Sequence, residues 1–255
     1  YSITQTPLNE QDLKTMSEAV EVLRQFKGFS YFTEMSDIIN RLEDHVASAR
    51  MKTTPIIDFE KNESLKGLDY LDTIYHAIVN EHPIQLKYRS FKARSANSFI
   101  FYPYLLKEYR NRWFVYGVRG NGRILQNLAL DRIQSLEVLP QEHYIKNTFF
   151  DPNTFFDDLV GVTKNSGSVA EKIGFKVAAA EAPYIITKPI HRSQQVVERL
   201  ADGSVILEIE VVINHELERV FFGYAEGIQV LYPKTLVELM GRKLKKAAEQ
   251  YTHSK

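Results

Sequence analysis

The sequence predicts an α+β protein in three parts: a helical linker region at 1–82, a small, strongly bent β-barrel at 83–163, and a β-α-β-β-α-β module at 169–255. Three observations carry this. After Pro83 the spacing of apolar residues changes from about 3.6 to 2, the change from helix to strand. A polar, glycine-bearing stretch, KNSGS at 164–168, separates two patterned regions and is the expected domain boundary. Beyond it, strands and helices follow the ferredoxin-like split β-α-β order.

The elements follow in chain order. Residues 9–27 read as a helix: Asn9 can cap it, Leu13, Met16, Val20 and Leu23 recur at helical spacing, and Gly28 can end it. Residues 34–48 read as a second helix, with Ile38, Ile39, Leu42 and Val46 as its stripe and Thr33 as its cap. Two short helices bury little surface alone and need another domain or chain to pack on. A third helix is expected at 68–81 through Leu71, Ile74, Tyr75 and Ile78, stopped by Pro83. Strands are then expected at 84–90, 98–106, 112–118, 123–130 and 135–139. The third and fourth flank Gly120-Asn121-Gly122, and an Asn-Gly pair between strands signals a hairpin because both turn positions favour positive φ. Five short strands with tight connections suggest a bent sheet or small barrel. A brief helix is expected at 152–160. After the polar stretch come strand 172–178, helix 181–188, strand 194–200, the Asp202-Gly203 turn, strand 204–213, helix 215–226 capped by Asn214, strand 228–232 and helix 234–251.

Composition narrows the function. A chain of 255 residues fits about two domains at roughly 100–200 residues each. No run of about 18 apolar residues suggests a transmembrane helix, and no signal-peptide pattern is visible. Zero cysteines exclude disulfides and thiolate metal sites and fit a reducing, cytoplasmic setting. The first residue is Tyr1 rather than Met, so the expectation is a fragment or processed form with something upstream. Net charge is zero, yet between Leu86 and Arg132 ten basic residues face only Glu108 and Asp131. That block carries +8 and the remaining chain −8. A local basic block is the footprint of a polyanion site, and also of a solvated charged surface.

Catalytic and metal motifs are missing from the sequence. The seven histidines form no HExxH or i, i+4 pair, and His215-Glu216 has no local partner. There is no G-x-S-x-G elbow, although a triad assembled through space would leave no local signature. Gly117, Gly120 and Gly122 precede a strand rather than a helix, so they read as turn residues and not as a phosphate loop. What remains is a set of aromatics and arginines. Strand alternation puts Arg112, Phe114, Tyr116 and Val118 on one face, and Trp113, Val115 and Gly117 on the other. Tyr88, Tyr102 and Tyr104 lie on neighbouring strands, and Arg123 opens the next one. Bases stack on aromatic rings and arginines grip phosphates bidentately. Phe99, Phe101 and Trp113 read as core. Asp131-Arg132 reads as a structural turn with Asp131 capping and Arg132 partly buried.

RWFVYG at 112–117 followed by LALDRI at 128–133 resembles the WYL-domain family, named for a Trp-Tyr-Leu run in its third strand. Here the run is Trp113-Phe114-Val115, which keeps shape but loses the central hydroxyl. YRS at 88–90 and YPYLL at 102–106 support the resemblance. Residues 170–255, including EGIQVLYPKTLVE at 226–238, are similar to the extension that often follows this domain, and residues 1–26 to the segment joining it to a winged helix-turn-helix. The resemblance implies an Sm-like, SH3-type barrel in a dimeric bacterial transcriptional regulator. Its effector would be single-stranded DNA or a nucleotide, and its promoter-reading head would lie before Tyr1. Carried onto this chain, the family's ligand positions fall on Tyr88, Arg89, Arg94, Tyr104, Arg112, Tyr116, Arg123 and Arg132. No cofactor is implied. A module for a small metabolite or protein partner is the alternative reading, and an enzyme a more distant one.

Overall fold

The structure is a computed structural model and describes residues 66–252 except Asn121 and Arg123. The helices expected at 9–27 and 34–48 lie outside the described residues. The chain divides into two compact units between Lys146 and Asn147. Both are mixed α+β, and each has its own antiparallel sheet.

The first unit opens with a 3-10 turn, Leu68–Tyr70, running into helix α1, Leu71–Val79. Leu71, Ile74 and Ala77 are its buried stripe. The helix ends before Pro83 because the chain turns at Glu81, whose φ is 53°. The His82 N–H donates to the Ala77 carbonyl and the Glu81 N–H to that of Ile78, a Schellman closure made without glycine. Five strands follow: β1 Ile84–Tyr88, β2 Asn97–Tyr109, β3 Arg112–Arg119, β4 Leu125–Ala129 and β5 Ile133–Val138. Their order is β4-β3-β2-β1-β5, all antiparallel. The 13-residue β2 serves two partners: its first half pairs with β1 (Ile84 opposite Phe101) and its second with β3 (Tyr109 opposite Arg112). An irregularity between Pro103 and Leu105 bends it between the two.

Two turn expectations change. The tight two-residue hairpin joins β2 to β3, at Arg110 and Asn111, with φ of 50° and 59°. After Gly120 the chain needs more residues, and β4 starts at Leu125 rather than at 123. Gly117 is not a turn residue but lies inside β3. A Cβ there would sit 2.1 Å from the Tyr102 carbonyl oxygen and 2.6 Å from the Phe101 ring, so the position is set by close approach.

Phe101, Val115, Ile84, Leu86, Leu128, Leu130 and Ile133 form the core with the α1 stripe. Trp113, Phe99 and Tyr88 pack against it half-buried. Elsewhere on the sheet Tyr144 and Ile145 make a cover. The Tyr144 hydroxyl donates to the Pro103 carbonyl, and that of Tyr104 to the Ile145 carbonyl at 2.9 Å.

In the second unit, the helix expected at 152–160 is instead a series of turns. Asn147 and Asp151 accept nearby backbone N–H groups, and the backbone bonds are mostly isolated three-residue closures that never become a helical ladder. Residues 158–163 then pack into this unit. The Val212 N–H donates to the Asp158 carbonyl, and the Asn214 amide donates to the carbonyls of Val160 and Thr163. The elements after them are β6 Glu171–Val177, α2 Ala182–Thr187, β7 Gln195–Arg199, β8 Val205–Val211, α3 His215–Gly223, β9 Ile228–Tyr232 and α4 Lys234–Thr252. The sheet order is β7-β8-β6-β9, antiparallel throughout. Asn214 caps α3 as expected, its Oδ1 accepting from the Leu217 N–H at 2.9 Å. Ile173, Phe175, Leu207, Ile209, Leu217 and Phe221 are the centre of this core.

Candidate nucleic-acid interface

The chain crosses from β4 to β5 through one 3-10 turn, Leu130–Arg132. Leu130 points into the core and is 1% exposed, while Asp131 and Arg132 are left at the rim. The turn meets the end of β1, because the Arg89 N–H donates to the Arg132 carbonyl at 3.1 Å. It also meets the start of β3, because Arg112 Nε lies 3.3 Å from Asp131 Oδ2. Asp131 therefore does not cap: the residue before the turn is Ala129, with no side-chain cap. Its carboxylate serves Arg112 instead, with Arg132 Nε 3.8 Å from the other oxygen. That separation is beyond hydrogen-bond reach, and both atoms are buried without a hydrogen-bond partner.

Two guanidiniums thus share one carboxylate, leaving a local excess of positive charge. Tyr88 closes the group from β1. Burial pushes its hydroxyl above the ordinary tyrosine range, and the Arg132 charge with hydrogen bonds from Ala129 and Arg132 pulls the other way. The β1–β2 loop completes the rim, where the Arg132 guanidinium carbon lies 4.5 Å from the centre of the Phe91 ring. Arg89, Lys92 and Arg94 are exposed on the same strand end and loop.

The eight residues implied by the resemblance divide. Tyr88, Arg112 and Arg132 come together around Asp131, with Arg89 joined through its backbone. Arg94 is exposed in the adjoining loop. Tyr104 and Tyr116 are buried, 8% and 2% exposed, so their ring faces are covered. Burial, with a smaller contribution from Tyr102, raises the Tyr104 hydroxyl to about 12. Arg123 lies outside the described residues. The basic block is not one continuous patch, either. Arg119, at the far end of β3 from Arg112, stacks over Phe99 at 4.0 Å, roughly 23 Å away at strand rise. Two members of the cluster are not evident from the sequence. Asp131 reads there as a cap, and Phe91 carries no motif, although an aromatic within SFKAR is a legible signal.

Among the described residues no group of three or more acidic or histidine side chains could hold a metal ion. Nor is any of their helices long and apolar enough to cross a membrane. The His215-Glu216 pair finds a distant partner, since Glu216 Oε1 accepts from the Thr163 hydroxyl at 2.8 Å.

Residues 69–138 match the model of the WYL domain, and residues 170–248 that of the WCX domain; together they cover more than half the chain. The chain belongs to the WYL-domain family. The WYL match takes in α1 and all five strands of the first sheet, and so the whole rim from Tyr88 to Arg132. No curated protein matches the sequence. Among solved structures, the WYL chain is similar to proteasome accessory factor B/C (PafBC) of Arthrobacter aurescens, at 17% identity and a TM-score of 0.33. That likeness covers 82% of this chain and 31% of the other. It is also similar to a CRISPR Cas-related protein, at 11% identity and a TM-score of 0.43, over 73% of this chain and 52% of the other. The chain thus spans about a third and about half the length of these two structures.

Proposed function

We propose that this chain is the effector-sensing and dimerisation part of a bacterial transcriptional regulator. In this reading the first sheet is an Sm-like barrel and binds single-stranded nucleic acid or a nucleotide. The paired WYL and WCX domains support a regulatory module, and the strand order β7-β8-β6-β9 supports a ferredoxin-like second module. The observation that carries the ligand class is the sharing of Asp131 by Arg112 and Arg132. One carboxylate leaves charge for a phosphate, and guanidiniums match phosphate geometry bidentately. Arg89 and Arg94, on the strand end and the adjoining loop, extend the grip, and Arg123 is a further proposed phosphate contact on the family pattern. Tyr88 stands at the same rim. Binding would bias the helical region before β1 between two arrangements and so reach a promoter-reading head. The setting is cytoplasmic and the assembly a homodimer. The activity is sensing rather than turnover.

The test is fluorescence anisotropy with a labelled single-stranded oligonucleotide across a salt series. Log affinity falls with log salt by about 0.7 for each phosphate neutralised. Arg112→Ala and Arg132→Ala should each lower that slope. A flat salt response, or no binding at low salt, overturns the reading. The burial of Tyr104 and Tyr116 favours one rival, a small anionic metabolite needing fewer stacking surfaces. It predicts thermal stabilisation by a small phosphorylated or carboxylated compound and none by oligonucleotides.

A further inference from the structure

We propose that Phe91 is the base-stacking platform of this site, so that the ligand is selected for a planar ring as well as for phosphate. The inference rests on the nucleic-acid reading and assigns a residue and a selectivity to it.

The argument starts from exposure. Phe91 is 72% exposed, far more than Tyr75, the other exposed large aromatic of the first unit among the described residues. Phe99, Trp113 and Tyr88 are half-buried and packed against the core, and Phe101, Tyr104 and Tyr116 are buried. Phe91 is outside that core cluster, so its ring gains little from staying in water. A charge stands against it: the Arg132 guanidinium carbon lies 4.5 Å from the ring centre. Arg132 is in turn held beside Asp131 and Arg112. The ring is therefore backed by a guanidinium that is itself anchored, while most of its surface faces solvent.

Its place in the chain supports the same role. Phe91 lies in a loop between Arg89 and Arg94, with Lys92 beside it, so an aromatic surface sits within a run of cations. A strand whose phosphates meet Arg112, Arg132, Arg89 and Arg94 brings a base to the one exposed ring of that rim. Stacking tolerates any base, so the platform selects for nucleobases without reading sequence.

The test compares two single strands of equal length, one carrying bases and one abasic, binding to the full chain. Phe91→Leu keeps apolar bulk over Arg132 and removes the aromatic face. It should weaken the base-bearing strand about 5- to 100-fold, leave the abasic strand unchanged and leave the salt slope unchanged. Phe91→Trp should restore binding. Arg132→Ala should weaken both strands and lower the slope. The platform is overturned if Phe91→Leu leaves the base-bearing strand unaffected, or weakens both strands alike. If the unmodified chain binds neither strand, the nucleic-acid reading itself fails, and the platform fails with it.

Discussion

Replacing Asp131 by alanine should destabilise the first unit by about 2–3 kcal/mol. The magnitude follows from the geometry. At 3.3 Å from Arg112 Nε, the Coulomb attraction in a partly screened setting is about 5 kcal/mol before desolvation is subtracted. A hydrogen bond to a charged group retains about 1.5–3 kcal/mol net. The Arg112 side chain is 45% exposed, which puts this contact near the low end, because water takes over when the carboxylate leaves. Arg132 is 27% exposed and has less recourse to water. Left beside a second guanidinium without the intervening carboxylate, it adds about 1 kcal/mol. For a unit of this size each kcal/mol moves Tm by about 4–8 °C, so a fall of about 10–20 °C is expected. The assay can be confined to this unit, because Trp113 is the protein's single tryptophan and lies next to Arg112 on β3. Its fluorescence during heating reports this sheet rather than the second. A fall below about 2 °C would refute the reasoning, by making Asp131 an ordinary solvent-screened surface partner.

Three further outcomes follow from other parts of the molecule. Gly117→Ala should prevent folding of the first unit or cost more than about 3 kcal/mol, since the new carbon meets a carbonyl and a core ring with no room to relax; soluble yield and Trp113 fluorescence check it. Asn214→Ala should cost about 2–3 kcal/mol in urea unfolding of the second unit, by losing a helix cap and two bonds that hold residues 160–163. Tyr104 ionises at about 12 in the folded chain, against about 10 when unfolded. The unfolded state then releases the proton first as pH rises, so stability is constant below pH 10 and falls between 10 and 12. Burial also raises the Tyr88 and Tyr144 hydroxyls, so Tyr104→Phe should reduce that fall rather than abolish it; an alkaline loss of stability identical to that of the unmodified chain would contradict it.

The sequence shows most of its order where one force dominates. The stripe of Leu71, Ile74 and Ala77 and the period-2 run from Ile84 place α1 and β1 because burial acts on every turn and every second residue. Asn214 is legible because its side chain acts on its own backbone three residues later. The errors arise where the deciding contact is distant. Gly117 is a glycine because of Phe101, on another strand. Residues 152–160 carry helix-like apolar content, but the Asp151 carboxylate takes the Asn153 N–H, and the backbone bonds that follow close single turns without joining into a ladder. At the rim the arginines were visible as a block. Their grouping depends on the turn at 130–132, which brings Arg112 and Arg132 to one carboxylate and leaves Arg119 at the other end of its strand. Tyr104 and Tyr116 show why a count of aromatics misleads: the same side chains that suggest stacking surfaces also fill space.

Gly67, just ahead of the first turn of the helical segment, lies against the Leu130 backbone so tightly that a methyl group on it would come within 2.4 Å of that carbonyl carbon. Main chain meets main chain there, with no side chain between to yield by changing rotamer. A change of rotamer at Asp131 or Arg132 leaves this contact untouched, and only a shift of the backbone itself can open it. The seam between the charged rim and the residues that lead into α1 is therefore set by glycine's missing side chain.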